Sequence, residues 1–415
     1  MSRQGLMQQL TRREWLAIAA AGAVGASARG TAAQAETEER IATVVREYEA
    51  QGFHRTGTPV DQSSAQWLAD QVKRAGLSSA LETFSLKRVD PIVSRLQIAD
   101  RHLEGLPLFD GAFTTPAGIS GRLGPLNSDA EIGLTQTAVN AAATGALGDA
   151  RRANRHKAIV AVTKGRRPGL CPSNADSFVE PFGPPVLQVS SDEEPWLVDH
   201  AGRGSKVTLI TNVLRNGALA SNVTAEIAGS GTAVAPIIVM TPRSGWYWCA
   251  SERGGGIACW LEIMRGLRAA RLKRPVHFVA SSGHELGHLG INAYIAQRPD
   301  VVKRAAAWLH LGANIGAATE LTNNLLQSSD DELDQALTSA LNSNGLRVDR
   351  RALRQATPSG EAEAIHRGGG RYISMIGGNA LFHHPDDRGR AAIDPGSIAK
   401  FSAAFIALAR QLDEL

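Results

Sequence analysis

The stretch from Pro275 to Ile295, PVHFVASSGHELGHLGINAYI, constrains this chain more than any other. It opens with an apolar run, Val276 to Ala280, whose β-branched and aromatic residues are typical of a buried strand. Residues 281–283, Ser-Ser-Gly, break the run, and the titratable pair His284 and Glu285 follows directly. Because open α/β sheets place their chemistry at the carboxyl ends of strands, the sequence predicts an active centre at this pair.

The pattern on either side of this stretch predicts an α/β protein with a mixed central β-sheet flanked by helices. Residues 237–240 form a continuous apolar run, which is typical of a central strand. Apolar residues at helical spacing predict helices over residues 257–272 and 397–412. The chain therefore alternates between the two kinds of element, as sheets covered by helices do.

Between about residues 113 and 216 the pattern changes to short β-rich runs with many Gly and Ala residues. We expect a small β-rich inserted domain here, which leaves residues 36–112 and 217–415 for the main domain. Residues 207–210 are assigned to a strand of the insert, and residues 221–227 to a separate strand that returns to the main sheet.

The first 35 residues are typical of a targeting segment. Arg12 and Arg13 precede a short Ala- and Gly-rich run, and residues 33–35, Ala-Gln-Ala, provide a cleavage site. This pattern predicts a twin-arginine signal peptide and hence a periplasmic or secreted protein. The apolar run is shorter than the ~20 residues that a membrane span needs, so we expect no stable span after cleavage.

Charge and cysteine content limit the classes of partner. Residues 1–35 hold four Arg and one Glu, so the remaining chain has 40 basic and 39 acidic residues. Such a balance argues against a nucleic-acid partner. Export would allow a disulfide, with Cys249 and Cys259 as one possible pair beside Cys171, but the cysteine spacing does not suit zinc.

Several segments resemble the M28 family of zinc peptidases, and together they cover nearly all of the mature chain. HRTGT resembles the family's R-x-T-G-S, CASERGGGIACWLEI resembles GANDNASG-V-ALLEL, VHFVASSGHELGHLGINAY resembles IRFVFFDGEELGLLGSKAY, and FHHPDD resembles HTPEDT. HKAIVAVTKG and PPVLQVSSDE resemble a protease-associated domain. The resemblance implies a hydrolase of peptides or other small amides, since members are largely aminopeptidases.

The resemblance implies two zinc ions, five ligands and a Glu base, but several positions depart from it. The first His falls on Thr241, an outer Asp falls on Arg243, and a further Asp falls near Gly312 or Asn314. Two zinc ions need more negative charge than these residues provide.

The remaining positions imply one metal ion, zinc or another divalent metal. Its ligands would be Glu252, Glu285 and His383, with Glu285 the strongest because it keeps both residue type and position. The base position falls on His284, whose neutral imidazole can take a proton from water near pH 7. His288 or His310 could serve as a substitute ligand.

Two other functions stay open. The chain could be a catalytically inactive periplasmic binding or scaffold protein on the peptidase fold. His284 to His288 also spell HExxH, which on a continuous helix is the zinc motif of zincin proteases. The resemblance to the M28 family also implies that Trp246, Tyr247 and Trp248 lie at the rim of the substrate site.

Overall fold

The computed structural model describes residues 32–231, 234–319 and 323–414 of the 415-residue chain. Residues 1–31, which carry the predicted twin-arginine motif, lie outside the described residues. Among the helices that the structure describes, none is long and apolar enough to cross a bilayer.

Helices and strands alternate along much of the chain. The helices are α1 (residues 32–49), α2 (Pro59–Arg74), α3 (Gly145–Ala153), α4 (Glu194–Gly202), α5 (Gly255–Arg268), α6 (Leu289–Ala296), α7 (Val301–Arg304), α8 (Asp331–Ser343), α9 (Ala362–Arg367) and α10 (Pro395–Glu414). The strands are β1 (Ser79–Ile98), β2 (Arg101–Glu104), β3 (Leu106–Pro107), β4 (Ile119–Pro125), β5 (Ile132–Ala138), β6 (Ala158–Lys164), β7 (Val186–Val189), β8 (Lys206–Ile227), β9 (Ile237–Pro242), β10 (Val276–Ser281), β11 (Ala307–Ala313), β12 (Leu325–Ser328), β13 (Arg350–Arg351) and β14 (Tyr372–Ile376).

The central sheet is mixed, as the sequence predicts. Its strands follow the order β12-β14-β11-β9-β10-β8. The four inner strands are parallel to one another, whereas β12 and β8 pair antiparallel to their neighbours. The carboxyl ends of the four parallel strands therefore meet at one edge.

Helices cover both faces of this sheet because successive side chains of a strand point to opposite sides. In β9, Ile237 and Val239 pack into the larger core with residues of α1, α2, α5, α8 and α10. Ile238 and Met240 face the other way and pack into a second core with residues of α6, α7 and α9.

The long antiparallel pair of β1 and β8 connects the two parts of the molecule. Ser79 pairs with Ala225 at one end and Ile98 with Val207 at the other, with one irregularity between Pro91 and Val93. The assignment of residues 207–210 and 221–227 to separate strands was wrong, since both belong to β8. The middle of β8 is largely exposed, so its apolar pattern is interrupted and does not reveal the continuity of the strand in the sequence.

The N-terminal part of β8, which we call its outer half, pairs through residues 206–209 with β4. It thereby carries a second group of strands, ordered β4-β5-β6-β7-β3. These strands have a hydrophobic core of their own, to which β1 and β8 also contribute. The division of the chain at residues 113 and 216 stays a prediction. The possible disulfide is not formed, since Cys171, Cys249 and Cys259 are all buried free thiols.

Candidate functional site

A cavity of about 600 Å³ lies where the carboxyl edge of the central sheet faces the strands carried by the outer half of β8. His284, His288 and Asn314 line it from the sheet, and Lys164, Arg166 and Asp176 line it from the opposite side. The predicted base His284 and the substitute ligand His288 therefore face the same space.

Four side chains form what we call the Glu361 cluster: His284, His288, His310 and Glu361. Glu361 is 1% exposed and lies between two imidazoles. Its Oε1 is 3.0 Å from His284 Nδ1, and its Oε2 is 3.1 Å from His310 Nε2. One ligand atom each from His284, His288 and Glu361 lies within 4.8 Å of the others, so these three could hold a metal ion.

The backbone that brings His284 and His288 together is not a continuous helix. Residues His284–Leu286 form one 3₁₀ turn, and Gly283, Gly287 and His288 all have positive φ. These left-handed residues fold the segment back on itself, so that the two imidazole centroids are 5.1 Å apart. The zincin interpretation of HExxH requires a helix, and this backbone does not provide it.

His310 and Glu361 are held by a chain of hydrogen bonds that starts on β12. Gln327 donates to Ser374 Oγ at 3.2 Å, and Ser374 Oγ is 2.8 Å from His310 Nδ1. If His310 Nδ1 accepts from this hydroxyl, its Nε2–H donates to Glu361. Gly360, at φ +71°, precedes Glu361, and a Cβ there would lie 3.0 Å from His310 Cε1. Glycine therefore allows this loop to pack directly against the imidazole.

The electrostatics of this cluster favour an ionised carboxylate beside neutral imidazoles. Burial lowers the pKa of His288 to about 4, and burial together with the charge of Arg253 lowers the pKa of His284. Burial opposes ionisation of Glu361, but the interactions with His284 and His310 outweigh it and hold its pKa well below the usual value. These are the protonation states in which such groups bind metals.

Glu285 points away from this cluster. Its Oε1 accepts a hydrogen bond from the Thr56 backbone at 2.7 Å, and its Oε2 accepts one from Ser244 Oγ, also at 2.7 Å. The structure thus places Glu285 against the segment before α2, and Ser244 Oγ in turn accepts from the backbone of His284.

The other two predicted ligands meet in what we call the Arg253 cluster: Glu252, Arg253 and His383. Arg253 Nη2 lies 2.7 Å from Glu252 Oε1, and His383 Nε2 lies 3.5 Å from the same oxygen. His383 Nδ1 is 2.6 Å from the carbonyl oxygen of Pro172. All three side chains of the cluster are at most 1% exposed, so this cluster is closed to the cavity.

The positions that depart from the family pattern have partners within the protein. Thr241 donates to the Leu311 carbonyl at 3.0 Å, and Asn314 donates to the Gly377 carbonyl at 3.1 Å. Arg243 pairs with Asp61 of α2 at 2.9 Å, and both side chains are almost fully buried. An arginine in place of an acidic residue is therefore matched by a carboxylate from a different element.

None of the three predicted rim aromatics is among the described residues that line the cavity. Trp246 is buried and donates to Asn174 at 3.1 Å, and Tyr247 donates to the Leu170 carbonyl at 3.1 Å. Trp248 stacks edge-on against Phe53. Together with His383, Trp246 and Tyr247 fix the 170–174 segment against the central sheet.

Sequence reasoning missed Glu361 and the role of Arg253. Glu361 lies in a segment, PSGEAEAIH, that matches no catalytic motif. Arg253 directly follows the predicted ligand Glu252 in the sequence. This pair of adjacent opposite charges was the signal that could have predicted an ion pair at this position.

The fold is that of the zinc aminopeptidases. A zinc aminopeptidase from Bacillus subtilis, BSAP, superposes with a TM-score of 0.75 at 16% identity, over 89% of this chain and 94% of that one. An M28 peptidase precursor from Shewanella amazonensis SB2B gives 0.70 at 15% identity, over 92% and 96%. An aminopeptidase from Aneurinibacillus sp. strain AM-1 gives 0.69 at 15% identity, over 90% and 92%.

Residues 241–409 match the model of peptidase family M28, and the zinc aminopeptidase fold agrees with this match. This match supports a hydrolase of the peptidase type. No curated protein matches the chain significantly.

The pair of zinc ions that the resemblance implies does not fit the family positions of this chain. Thr241 and Asn314 are not ligands there and are engaged in hydrogen bonds to the backbone. Glu252 already has a guanidinium at 2.7 Å. The donor set of His284, His288 and Glu361, in contrast, fits one divalent ion with an open position.

Proposed function

We propose that this protein is an exported hydrolase of peptide or other amide bonds that works with one divalent metal ion in the Glu361 cluster. The observation that carries the proposal is the grouping of three candidate ligands on a peptidase fold: His284 and His288 line a cavity of about 600 Å³, and Glu361 is buried directly beside them. Export rests on the twin-arginine pattern of residues 11–35 and stays a prediction.

His284, His288 and Glu361 would hold the ion, zinc or another divalent metal. The chemistry that such an ion would supply there is Lewis acidity, which would favour attack of water on an amide carbonyl. His310 would orient Glu361 through its Nε2, as partners of metal ligands commonly do.

The cavity wall offers charges of both signs to a peptide. Asp176 and Glu363 supply carboxylates, and Glu363 lies 4.0 Å from His288. Lys164 and Arg166 supply cations, although Lys164 also pairs with Glu194. A substrate with a free amino end and a free carboxyl end would thus find a partner for each.

A metal-free mechanism uses the same residues differently. His284 Nδ1 donates to Glu361, which leaves Nε2 as a free proton acceptor. A carboxylate that orients an imidazole in this way prepares a general base. This is the role that the sequence predicts for His284, and metal content measured beside hydrolysis separates the two mechanisms.

The test uses the full chain after export, with metal content and hydrolysis of an aminoacyl anilide and its N-acetylated form as measurements. We expect His288→Asn and Glu361→Gln to reduce metal affinity and hydrolysis by at least ~100-fold. Asp176→Asn, on the same cavity wall, is the matched control and should retain the metal. Glu285→Gln should also retain it.

Three other results would redirect the proposal. Loss of metal in Glu285→Gln but not in His288→Asn would favour the family set Glu252, Glu285 and His383. Hydrolysis without metal that His284→Asn abolishes would favour the general-base mechanism. Absence of both metal and hydrolysis would favour a binding protein on a peptidase fold.

A further inference from the structure

We propose that the guanidinium of Arg253 is a built-in replacement for the metal ion of the family site, and that it excludes metal from Glu252 and His383. The proposal concerns the Arg253 cluster alone. It goes beyond the proposed function, which rests on the Glu361 cluster.

Three contacts fix the guanidinium among the positions that carry the family ligands. Arg253 Nε donates to the Ser244 carbonyl at 2.9 Å, beyond the end of β9. Nη1 donates to the Gly312 carbonyl at 3.2 Å, in β11, and Nη2 lies 2.7 Å from Glu252 Oε1. The planar guanidinium therefore joins the Ser244 carbonyl, the carbonyl of Gly312, near which a family Asp falls, and the carboxylate of Glu252.

The charges of this cluster are balanced without a metal. The side chains of Glu252 and Arg253 are both at most 1% exposed, and Arg253 Nη2 lies 2.7 Å from Glu252 Oε1, so the guanidinium supplies the opposite charge that this buried carboxylate needs. A buried carboxylate needs such a partner, and a metal ion is the alternative that the family uses. A divalent cation bound to Glu252 would lie within a few ångströms of the guanidinium and would be repelled by it.

Two atoms that could bind a metal ion, one on His383 and one on Glu252, are still present in this cluster. His383 Nδ1 is fixed by the Pro172 carbonyl, which leaves Nε2 with its lone pair directed inward. Nε2 has no hydrogen-bond partner among the described residues and lies 3.5 Å from Glu252 Oε1. A histidine nitrogen and a carboxylate oxygen thus remain close together, and the guanidinium prevents them from binding a metal ion.

Removal of the guanidinium should therefore open a latent metal site. The test is made in a Glu361→Gln background, so that metal bound in the Glu361 cluster does not contribute. Thermal unfolding is followed with and without zinc sulfate, and cobalt binding is followed by its visible absorption. The variants are Arg253→Met, Arg253→Lys, and Arg253→Met combined with Glu252→Gln.

We expect no zinc response of the Tm when Arg253 is present. Arg253→Met should unfold at a lower temperature without metal, and zinc at 100-fold its Kd should raise its Tm by about 3–5 °C. Arg253→Lys keeps the charge and should not respond to zinc. The double variant, which has neither charge, should recover stability relative to Arg253→Met and should not respond either.

Two results would overturn the proposal. One is a zinc-dependent rise in Tm with Arg253 present that Glu252→Gln abolishes, because the site would then bind metal beside the guanidinium. The other is an Arg253→Met protein that neither loses stability nor binds zinc or cobalt. If Arg253→Met folds only when zinc is supplied during expression, the proposal is supported, and Arg253→Lys, folded without zinc, completes the comparison. The hydrolysis assay of the parent protein is unaffected by these outcomes, so the two proposals fail separately.

Discussion

Glu252 and Glu361 lie at the carboxyl edge of the same sheet, and each is 1% exposed. Glu252 has the guanidinium of Arg253 at 2.7 Å, whereas the close partners of Glu361 include two imidazoles at 3.0 and 3.1 Å. A buried carboxylate beside a fixed cation has its charge compensated, but one beside neutral imidazoles can still accept a cation. The comparison shows how the same residue type, at the same depth, can serve a closed structural pair in one place and an open ligand set in the other.

The Glu361 cluster and the Arg253 cluster also differ in their access to the cavity. His284 and His288 of the Glu361 cluster line the cavity, whereas the three members of the Arg253 cluster are shut off from it. A substrate that enters the cavity therefore meets the cluster that lacks a cation of its own.

The largest effect should come from removing each carboxylate in protein treated with a chelator. Glu252→Ala leaves the Arg253 guanidinium buried without its partner, so we expect the free energy of unfolding to fall by about 3–5 kcal/mol. Glu361→Ala leaves neutral imidazoles that lose hydrogen bonds, and we expect a fall of about 1–3 kcal/mol. Urea unfolding of both variants measures the difference.

Glu363→Ala is the control for this pair, since Glu363 is half-exposed on the cavity wall and should cost less than about 0.5 kcal/mol. If Glu361→Ala proves the more destabilising variant, a charge of the protein must compensate Glu361 in the metal-free state, and the contrast between the clusters would be lost.

Much of the central sheet could be predicted from the sequence. Residues 237–240 and 276–280 are continuous apolar runs, and buried parallel strands impose such runs because both of their faces are covered. The β1–β8 pair could not be predicted as it stands, because the middle of β8 is largely exposed and its apolar residues do not form a continuous strand pattern.

The site was predictable only in part, for a reason of chain topology. His284, Glu285 and His288 lie next to a recognisable strand end, but Glu361 lies 77 residues from its partner His284 and enters the cluster only because α9 packs against β11 and β14. The spacing HExxH suggested that the two histidines share a helix face. Residues with positive φ bring them together instead, and such residues leave no periodic pattern.

The pH dependence of stability should also distinguish the two clusters. His288 has a pKa of about 4 in the folded protein against 6.5 for the unfolded chain. The unfolded state therefore binds the proton first as pH falls, so the stability associated with neutral His288 is complete above pH 6.5 and is lost towards pH 4. The loss should be about 2–3 kcal/mol.

The measurement compares urea unfolding of wild type and His288→Asn between pH 7 and pH 4, with chelator present. Asn is chosen because it tolerates the left-handed backbone of this position. The difference between the two curves isolates His288. Glu252 has a lowered pKa, so its contribution is lost only below about pH 4.5, outside most of this window. Parallel curves for the two proteins would show that His288 is not held neutral.

The smallest effect concerns the hydrogen-bond chain that only the Glu361 cluster has. Ser374→Ala removes the hydroxyl that lies 2.8 Å from His310 Nδ1, so the imidazole that fixes Glu361 Oε2 loses its own support. We expect a loss of about 1 kcal/mol in the free energy of unfolding and a ~10-fold loss in affinity for zinc. The matched control is Ser402→Ala in α10, a buried serine outside both clusters that donates to the Ile398 carbonyl at 2.8 Å. It should cost a similar free energy of unfolding and leave zinc affinity unchanged. Equal zinc affinity in the two variants would mean that His310 does not position Glu361, and the Glu361 cluster would then be reduced to the three candidate ligands alone.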